Sequence, residues 1–244
     1  MRLIDLFNNG AIILRCISSI LQYKHTKQQH QHNQQRYQGP TGLSTTYLKL
    51  QLFTILLSIT STCFYFLPEV QDQYSLRFFN QKPPIDIPYL IIELIYCGLT
   101  ILLILQQHYE FDYELLAFIV IQLVPFGYLI KLWLYNQSKI FTLDLIDYLW
   151  LLTKFNACVY LIPQIYRIWF DECSGLYKNW IWLNLGALGF EFMGNFINNN
   201  QWFEDALNFN NYWIIIVLNL LWTITIFFQT KFLKEEEEVH YKEV

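Results

Sequence analysis

The sequence predicts an all-α integral membrane protein with seven transmembrane helices. Of its 244 residues, 54% are hydrophobic and only 15% are charged. In soluble domains about a quarter of the residues are charged. The apolar residues are gathered into blocks separated by short polar stretches. Roughly 20 apolar residues in a helix cross a hydrocarbon core of about 30 Å. No block alternates with period two, so a helical bundle is favoured over a membrane barrel.

Seven apolar blocks account for the predicted spans, and the first is the weakest. Asn8, Asn9 and Arg15 interrupt it, whereas the later blocks are more continuously apolar. Because each block is long enough for a helical crossing, we expect one span from each. The blocks lie at 4–22, 43–66, 88–106, 115–135, 145–166, 179–196 and 212–230.

The connections between the blocks are polar and are expected to be loops. Residues 24–42 are rich in Gln and His, and this low-complexity composition predicts a loop rather than a metal site. In the connection 67–87, Pro68 and two further prolines predict that helices stop there. The C-terminal segment 231–244 is charged and is expected to be a solvated tail.

Basic residues give the predicted orientation in the membrane. With the N-terminus on the lumenal side, the cytosolic segments hold more Lys and Arg residues than the lumenal ones, as membrane proteins favour. The glycosylation sequon Asn136-Gln137-Ser138 then falls on the lumenal side. The sequence therefore predicts a lumenal N-terminus and a cytosolic C-terminus.

Two segments of the chain resemble each other, at 18–53 and 159–190. Each ends an apolar helix with a glutamine, crosses a polar loop, and opens the next helix with a Gly-Leu pair. An amide side chain follows nine residues after each of these glycines. The paired positions are Gln22 with Gln164, Gly42 with Gly175, and Gln51 with Asn184.

The dipeptide Pro163-Gln164, followed by a short loop and Gly175-Leu176, resembles the signature of the PQ-loop family. That family includes the cystinosin-type lysosomal amino-acid exporters, and the SWEET sugar exporters share its fold. The resemblance implies two parallel three-helix repeats joined by a linker helix. It places the first repeat at 1–106, the linker helix at 107–144, the second repeat at 145–230 and the charged tail at 231–244.

The resemblance implies a transporter of a small polar solute, an amino acid or a related metabolite, that works by alternating access. It also implies a vacuolar or lysosomal, endosomal or Golgi membrane. The alternative is a non-transporting accessory or receptor-like protein in endomembrane lipid or glycolipid homeostasis. Two departures from the family pattern favour this alternative. Leu21 replaces the first proline, and Asn184 replaces an aspartate implicated in proton coupling with an amide that does not titrate.

Polar side chains within the spans are the candidate site residues, because such groups are costly in a membrane. Gln51, Asn184, Lys154 and Asn156 are the predicted substrate-binding residues. Glu191 lies seven residues after Asn184, on the same helix face, and is the coupling candidate. Lys154 can neutralise Glu191 or hold an anionic group of the substrate. The structural alternatives are an ion pair for Lys154 and interhelical hydrogen bonds for the amides.

Pro163, Gln164, Gln22, Gly42 and Gly175 form the predicted PQ motif. Pro163 is expected to act either as a hinge or as a helix terminator. Other polar residues inside the spans have no assigned role; they are Arg15, Lys49, Glu93, Gln122, Asn195 and Asn219.

The remaining sequence features narrow the class of function. No nucleophile elbow, phosphate-binding glycine loop or metal-ligand cluster is evident, so we expect neither an enzyme nor a bound cofactor or metal. The net charge of −4 argues against a nucleic-acid partner. The expected partners are the lipid bilayer and a small-molecule solute, and a homo-oligomer is compatible with the sequence.

Overall fold

The computed structural model describes a chain that is helical wherever it has regular structure. The described residues are 3–33, 43–78, 83, 85–107, 112–135, 140–170, 176, 178–198 and 213–242. Gly42, Gly175 and the sequon at 136–138 lie outside them. The helices are α1 (Leu3–Asn33), α2 (Thr45–Phe64), α3 (Pro68–Arg77), α4 (Ile87–Leu105), α5 (Tyr113–Tyr135), α6 (Thr142–Val159), α7 (Ile162–Phe170), α8 (Lys178–Asn198) and α9 (Trp213–Lys242).

Five helical segments in the described part of the chain are long and apolar enough to cross a membrane. This finding confirms the prediction of an all-α, multi-pass integral membrane protein. The seven apolar blocks overlap helices, the fifth covering both α6 and α7, and five of the blocks coincide with these segments. The segments are Thr45–Phe64, Ile87–Leu105, Tyr113–Tyr135, Thr142–Phe170 and Trp213–Phe232.

Helices α1 and α8 are absent from that set of five among the described residues, yet they form the most extensive helix pair. The aromatic side chains of Phe7 on α1 and Phe190 on α8 contact each other, with ring centroids 5.8 Å apart. Gly10 permits this approach, because a Cβ atom there would lie 2.7 Å from the Phe190 ring. Both helices carry polar residues on the faces that they bury against each other, so their low apolar content follows from their packing.

Six helices form a closed ring in the part of the chain that the structure describes. In ring order they are α1, α4, α2, α6, α9 and α8, and α8 packs back against α1. Helix α7 continues α6 and packs against α2 and α9, whereas α5 packs on α6 from outside the ring. Polar side chains on the inner faces of these helices can therefore meet at the ring centre.

Three segment boundaries differ from the sequence prediction. Helix α1 continues through Asn33, into a stretch predicted to be a loop, and α9 continues through Lys242, into the predicted tail. Pro68 begins α3 instead of only stopping a helix, because the first turn of a helix does not use the missing N–H. Arg77 then anchors α3 to α6 through two carboxylates, Asp144 at 2.5 Å and Asp147 at 2.6 Å.

Pro163 marks a break in the fifth predicted span. Helix α6 ends at Val159, Tyr160 and Leu161 form a turn, and α7 begins at Ile162. The proline ring crowds the carbonyl of the residue four positions earlier, which is Val159. The break therefore lies where the proline requires it, and Pro163 occupies the first turn of α7.

Helix α5 is held to α6 by a pair of buried amides. The two side chains form a pair of hydrogen bonds: the Gln122 amide nitrogen donates to the Asn156 oxygen at 2.9 Å, and the Asn156 amide nitrogen donates to the Gln122 oxygen at 2.9 Å. Asn156 has no exposed surface, and Gln122 is 7% exposed. Both amides are therefore used in joining α5 to the ring.

We expect Asn156→Ala to lower the free energy of unfolding by about 1–3 kcal/mol, because the buried Gln122 amide would lose its partner. The double variant Q122L/N156L should cost less than the sum of the two single leucine variants, since it removes both polar groups. Denaturant unfolding in detergent micelles measures these differences. If the loss of unfolding free energy in the double variant equalled the sum of the losses in the two single leucine variants, the pairing would be contradicted.

Asp112 joins the start of α5 to the start of α2. Its carboxylate accepts hydrogen bonds from the Leu115 N–H at 2.9 Å and from the Thr46 hydroxyl at 2.5 Å. Burial acts to raise the pKa of Asp112, but these hydrogen bonds and the charge of Lys49 outweigh it. The pKa of Asp112 therefore lies below its ordinary value.

Because the folded chain lowers the pKa of Asp112, the ionised carboxylate stabilises the fold at neutral pH. This stabilisation should disappear as the pH falls below the ordinary Asp value and through the lowered one. We expect Asp112→Asn to lower the melting temperature at pH 7, by the equivalent of about 1 kcal/mol for a lost helix cap. The difference from wild type should shrink near pH 3. Glu114→Gln, at an exposed position of α5, is the matched control, and a difference that is constant with pH would contradict this role.

Candidate functional site

Charged and polar side chains from five helices of the ring converge in its interior. We call this set the polar centre. Its members are Arg15 of α1, Gln51 of α2, Glu93 and Tyr96 of α4, Lys154 of α6, and Glu191 of α8.

The strongest contact in the polar centre is an ion pair between α1 and α8. The Arg15 guanidinium and the Glu191 carboxylate are 2.7 Å apart, and their side chains are 22% and 24% exposed. Lys154 also interacts electrostatically with Glu191. Glu191 thus pairs with Arg15, a residue to which the sequence assigned no role.

Gln51 lies at the α4 side of the polar centre. Its amide donates to the hydroxyl of Tyr96, and both side chains are buried. Tyr96 in turn lies within the electrostatic field of Arg15. The predicted substrate-binding amide of α2 is therefore connected to the charged groups through a tyrosine hydroxyl.

Glu93 is the most deeply buried acid of the polar centre, at 4% exposed. The Ser58 hydroxyl of α2 is its hydrogen-bonding neighbour, and Lys154 of α6 is its nearby positive charge. Its Oε2 atom has no hydrogen-bond partner in the described structure. The Lys154 ammonium itself lies 4.3 Å from the centre of the Trp150 ring.

The four predicted substrate-binding residues do not form one cluster. Lys154 and Gln51 belong to the polar centre. Asn184 donates instead to the Ser18 hydroxyl of α1 at 3.2 Å and to the Trp180 carbonyl at 2.8 Å. Asn156 faces α5, away from the charged groups. No described contact joins Gln51 to Asn184, so these symmetric amides bind different neighbours.

The end of the ring at which α2 and α8 begin is filled by three aromatic side chains, which we call the aromatic plug. Tyr47 stacks on Tyr160 with centroids 5.8 Å apart, and it meets Trp180 edge-on at 6.2 Å. Tyr47 and Trp180 are each 3% exposed. The surrounding buried residues are Leu43, Leu48, Leu103, Leu161, Ile168, Leu176, Ile181 and Ile226.

Gln164 of the PQ motif fastens this end of the ring, and we call its contacts the Gln164 latch. Its side-chain oxygen accepts the backbone N–H of Ser44 at 2.7 Å, and the side chain is fully buried. One turn later, Arg167 donates to the Leu43 carbonyl. The latch therefore ties α7, which continues α6, to the start of the neighbouring helix α2.

Gln22 occupies the matching place in the first segment. It is also fully buried, and its amide donates to the Thr26 hydroxyl at 3.4 Å. Both glutamines belong to the predicted PQ motif, whereas Arg167 had no predicted role. The spacing of three residues between Gln164 and Arg167 puts them on one helix face and was the available signal.

The described residues contain no group of three or more His, Cys, Asp or Glu side chains that could hold a metal ion. No protein-family model matches the chain, and no curated protein is significantly similar to it.

Proposed function

We propose that this chain is a PQ-loop-type membrane transporter that moves a small polar solute by alternating access. The solute, an amino acid or a related metabolite, would bind at the polar centre. The observation that carries this proposal is a ring of helices around buried charges, filled at one end by the aromatic plug. Charged groups within a membrane bundle are costly and rare, and they mark solute or ion pathways.

The order of helices in the ring supports a repeat architecture of three, one and three spans. Exchanging α1 with α6 and α7, α2 with α8, and α4 with α9 leaves that order unchanged. Helix α5 stands outside the ring, as a linker between two such units would. In this arrangement α1 and α8 also cross the membrane, and they bury their polar residues inward.

Buried positions in the two units support the same architecture, because those of α2 and α8 recur at one spacing along the chain and those of α4 and α9 recur at another. The aromatic residues Tyr47 and Trp180 occupy matching positions, four residues before Gln51 and Asn184. The other matching buried pairs are Leu43 with Leu176, Leu48 with Ile181, Ile55 with Leu188, Gln22 with Gln164, Thr100 with Thr223, and Leu103 with Ile226.

In this proposal the two units rock against each other around the polar centre. Opening the plugged end requires Tyr47 to separate from Trp180 and Gln164 to release Ser44. The break before Pro163 gives α7 a point about which it can move independently of α6. The proposed orientation has a lumenal N-terminus in a vacuolar or lysosomal, endosomal or Golgi membrane.

A second candidate function is a non-transporting accessory or receptor-like role in lipid or glycolipid homeostasis. The specific observation in its favour is the bonding between α1 and α8. The ion pair of Arg15 with Glu191 and the hydrogen bond of Asn184 with Ser18 tie the two units together. Asn184 also lacks the titratable proton that an aspartate would provide at this position.

Solute flux into vesicles tests the proposed function. Purified protein in liposomes is assayed with radiolabelled amino acids and sugars, at several pH values, against protein-free vesicles. Saturable flux of at least one solute is expected. Absence of flux for every solute would contradict transport.

Asn184→Asp separates the two candidate functions. A transporter should gain or change pH-dependent flux with this substitution. An accessory protein should show no change in flux, while the lipid distribution of cells carrying the variant changes.

A further inference from the structure

We propose that helix α3 is a gate at the end of the ring opposite the aromatic plug, and that both ends of the ring are closed in this conformation. Helix α3 (Pro68–Arg77) would leave α6 when that end opens and return to it when the end closes. This inference rests on the proposed function for its part in transport, but the closure itself can be tested without flux.

The directions of the ring helices place α3 at the end opposite the plug. Helix α2 begins beside the plug with Tyr47, and α6 ends beside it with Tyr160. The last turn of α2 and the first turns of α6 therefore lie at the other end. Helix α3 follows α2 directly along the chain but packs on α6. It thus bridges the two proposed units across the seam of α2 and α6, whose plugged end is tied by the Gln164 latch.

A small apolar cluster connects α3 to the polar centre. Val70 of α3 has no exposed surface and packs with Leu143 and Ile146 at the start of α6. Trp150, further along α6, packs against this cluster. The Lys154 ammonium of the polar centre lies 4.3 Å from the centre of the Trp150 ring. One side chain, that of Trp150, therefore contacts both the α3 cluster and the polar centre.

The polar contacts that hold α3 on α6 are open to water. Arg77 pairs with Asp144 at 2.5 Å and with Asp147 at 2.6 Å, and these three side chains are 36%, 34% and 51% exposed. The Thr142 hydroxyl donates to the exposed Glu69 carboxylate at 2.9 Å. Exposed ion pairs add little to stability, because water can solvate both partners when they separate. These contacts can therefore close the end of the ring and still release readily.

Helix α3 is otherwise lightly held, and a short hinge precedes it. Among its ten residues, all of which the structure describes, only Val70 is buried. Helix α2 ends at Phe64, and a turn of three residues separates it from Pro68. Leu67, the last residue of this turn, has an extended backbone, as the residue before a proline prefers. Changes in the backbone angles of this turn would move α3 without unwinding α2 or α6.

The second seam between the proposed units, that of α1 and α8, has contacts of a different kind. It is the most extensive helix pair, and Gly10 brings the two helices together against Phe190. Arg15 and Glu191 also pair across it, at side-chain exposures of 22% and 24%. The contact of α2 with α6 is less extensive. We therefore expect opening between α2 and α6, while α1 and α8 stay together.

Cysteine reactivity at two reporter positions tests the gate, in a background without the native cysteines. The reporters are Ser58→Cys, beside Glu93 of the polar centre, and Tyr47→Cys, in the aromatic plug. Each reporter is combined with Arg77→Gln, which removes both ion pairs of α3. The matched control is Lys131→Gln, which removes a positive charge at an exposed position of α5. The rate of reaction with a water-soluble thiol reagent is measured in detergent.

We expect Arg77→Gln to speed the reaction at position 58 by about two- to tenfold, the range that corresponds to the loss of two exposed ion pairs. The rate at position 47 should stay unchanged, because the Gln164 latch is intact. Arg77→Lys keeps one positive charge and should give an intermediate rate at position 58. Lys131→Gln should leave both rates unchanged.

Two outcomes of the reactivity measurements would overturn the inference. One is an equal rate at position 58 in Arg77→Gln and in Lys131→Gln, since α3 would then not control access to the polar centre. The other is an equal gain at positions 58 and 47, which would indicate loosening of the whole ring and not the opening of one end.

A cross-link between α3 and α6 links the gate to transport. Glu69→Cys and Thr142→Cys replace two side chains that share a 2.9 Å hydrogen bond, and a short cleavable thiol linker joins them in liposomes. We expect uptake to stop and to return when a reductant cleaves the linker. Undiminished uptake after complete cross-linking would overturn the gate. The expected reactivities in a protein without flux for any solute would support the gate and contradict the proposed transport, so the two failures are distinguishable.

Discussion

Glu191→Gln is expected to destabilise the protein by about 1–3 kcal/mol, because it removes one partner of a half-buried ion pair. Arg15 would keep its charge in the polar centre without its counter-charge at 2.7 Å. The exchanged pair R15E/E191R should recover much of the loss, because it restores opposite charges on the same two helices. Denaturant unfolding in detergent, with tryptophan fluorescence as the signal, measures both effects.

Glu114→Gln is the control for this experiment, since it makes the same chemical change at an exposed position of α5. We expect it to change the free energy of unfolding by less than about 0.5 kcal/mol. If Glu191→Gln were equally mild, α1 and α8 would not be held together by this pair, and the account of the ring centre would be wrong.

Gln164→Ala is expected to loosen the plugged end of the ring. The backbone N–H of Ser44 would lose its acceptor at 2.7 Å while remaining buried, at a cost of about 1–3 kcal/mol. Because the latch joins the two proposed units, its loss should also favour the conformation that is open at this end. A cysteine introduced at Tyr47, in a background without the native cysteines, should then react severalfold faster with a water-soluble thiol reagent.

Gln71→Ala is the matched control for the latch, because Gln71 is an exposed glutamine on α3, outside the ring. It should leave the reactivity at position 47 unchanged. If the cysteine at position 47 reacted equally fast with and without Gln164→Ala, Gln164 would not hold this end closed.

The sequence predicted the helices of the ring because a membrane span leaves a strong local pattern. Residues such as those of α4 and α5 form continuous apolar runs, and their helices were placed within a few residues of their ends. The pattern was weaker in α1 and α8, whose inward faces carry Arg15 and Glu191. Hydropathy averages over all faces of a helix, so it undervalues a helix that buries polar groups against a neighbour.

The contacts of the candidate site were less predictable, because spacing along a chain does not tell which helices become neighbours. The sequence marked Glu191 and Lys154 as a potential pair, and the structure adds an ion pair of Glu191 with Arg15 of α1, which spacing could not indicate. Asn156 lay on the same helix as Lys154, and only the packing of α5 shows that it binds Gln122. Helix α3 was predicted as a loop because its proline was interpreted as a stop and not as a start.

Cross-linking across the aromatic plug tests the central claim, transport through the ring centre by alternating access, most directly. Cysteines replace Tyr47 and Trp180, whose ring centroids lie 6.2 Å apart, in a background without the native cysteines. A short thiol cross-linker that a reductant cleaves then joins them in liposomes that carry out measurable uptake. We predict that cross-linking stops uptake and that the reductant restores it. Undiminished uptake in the fully cross-linked protein would contradict the account.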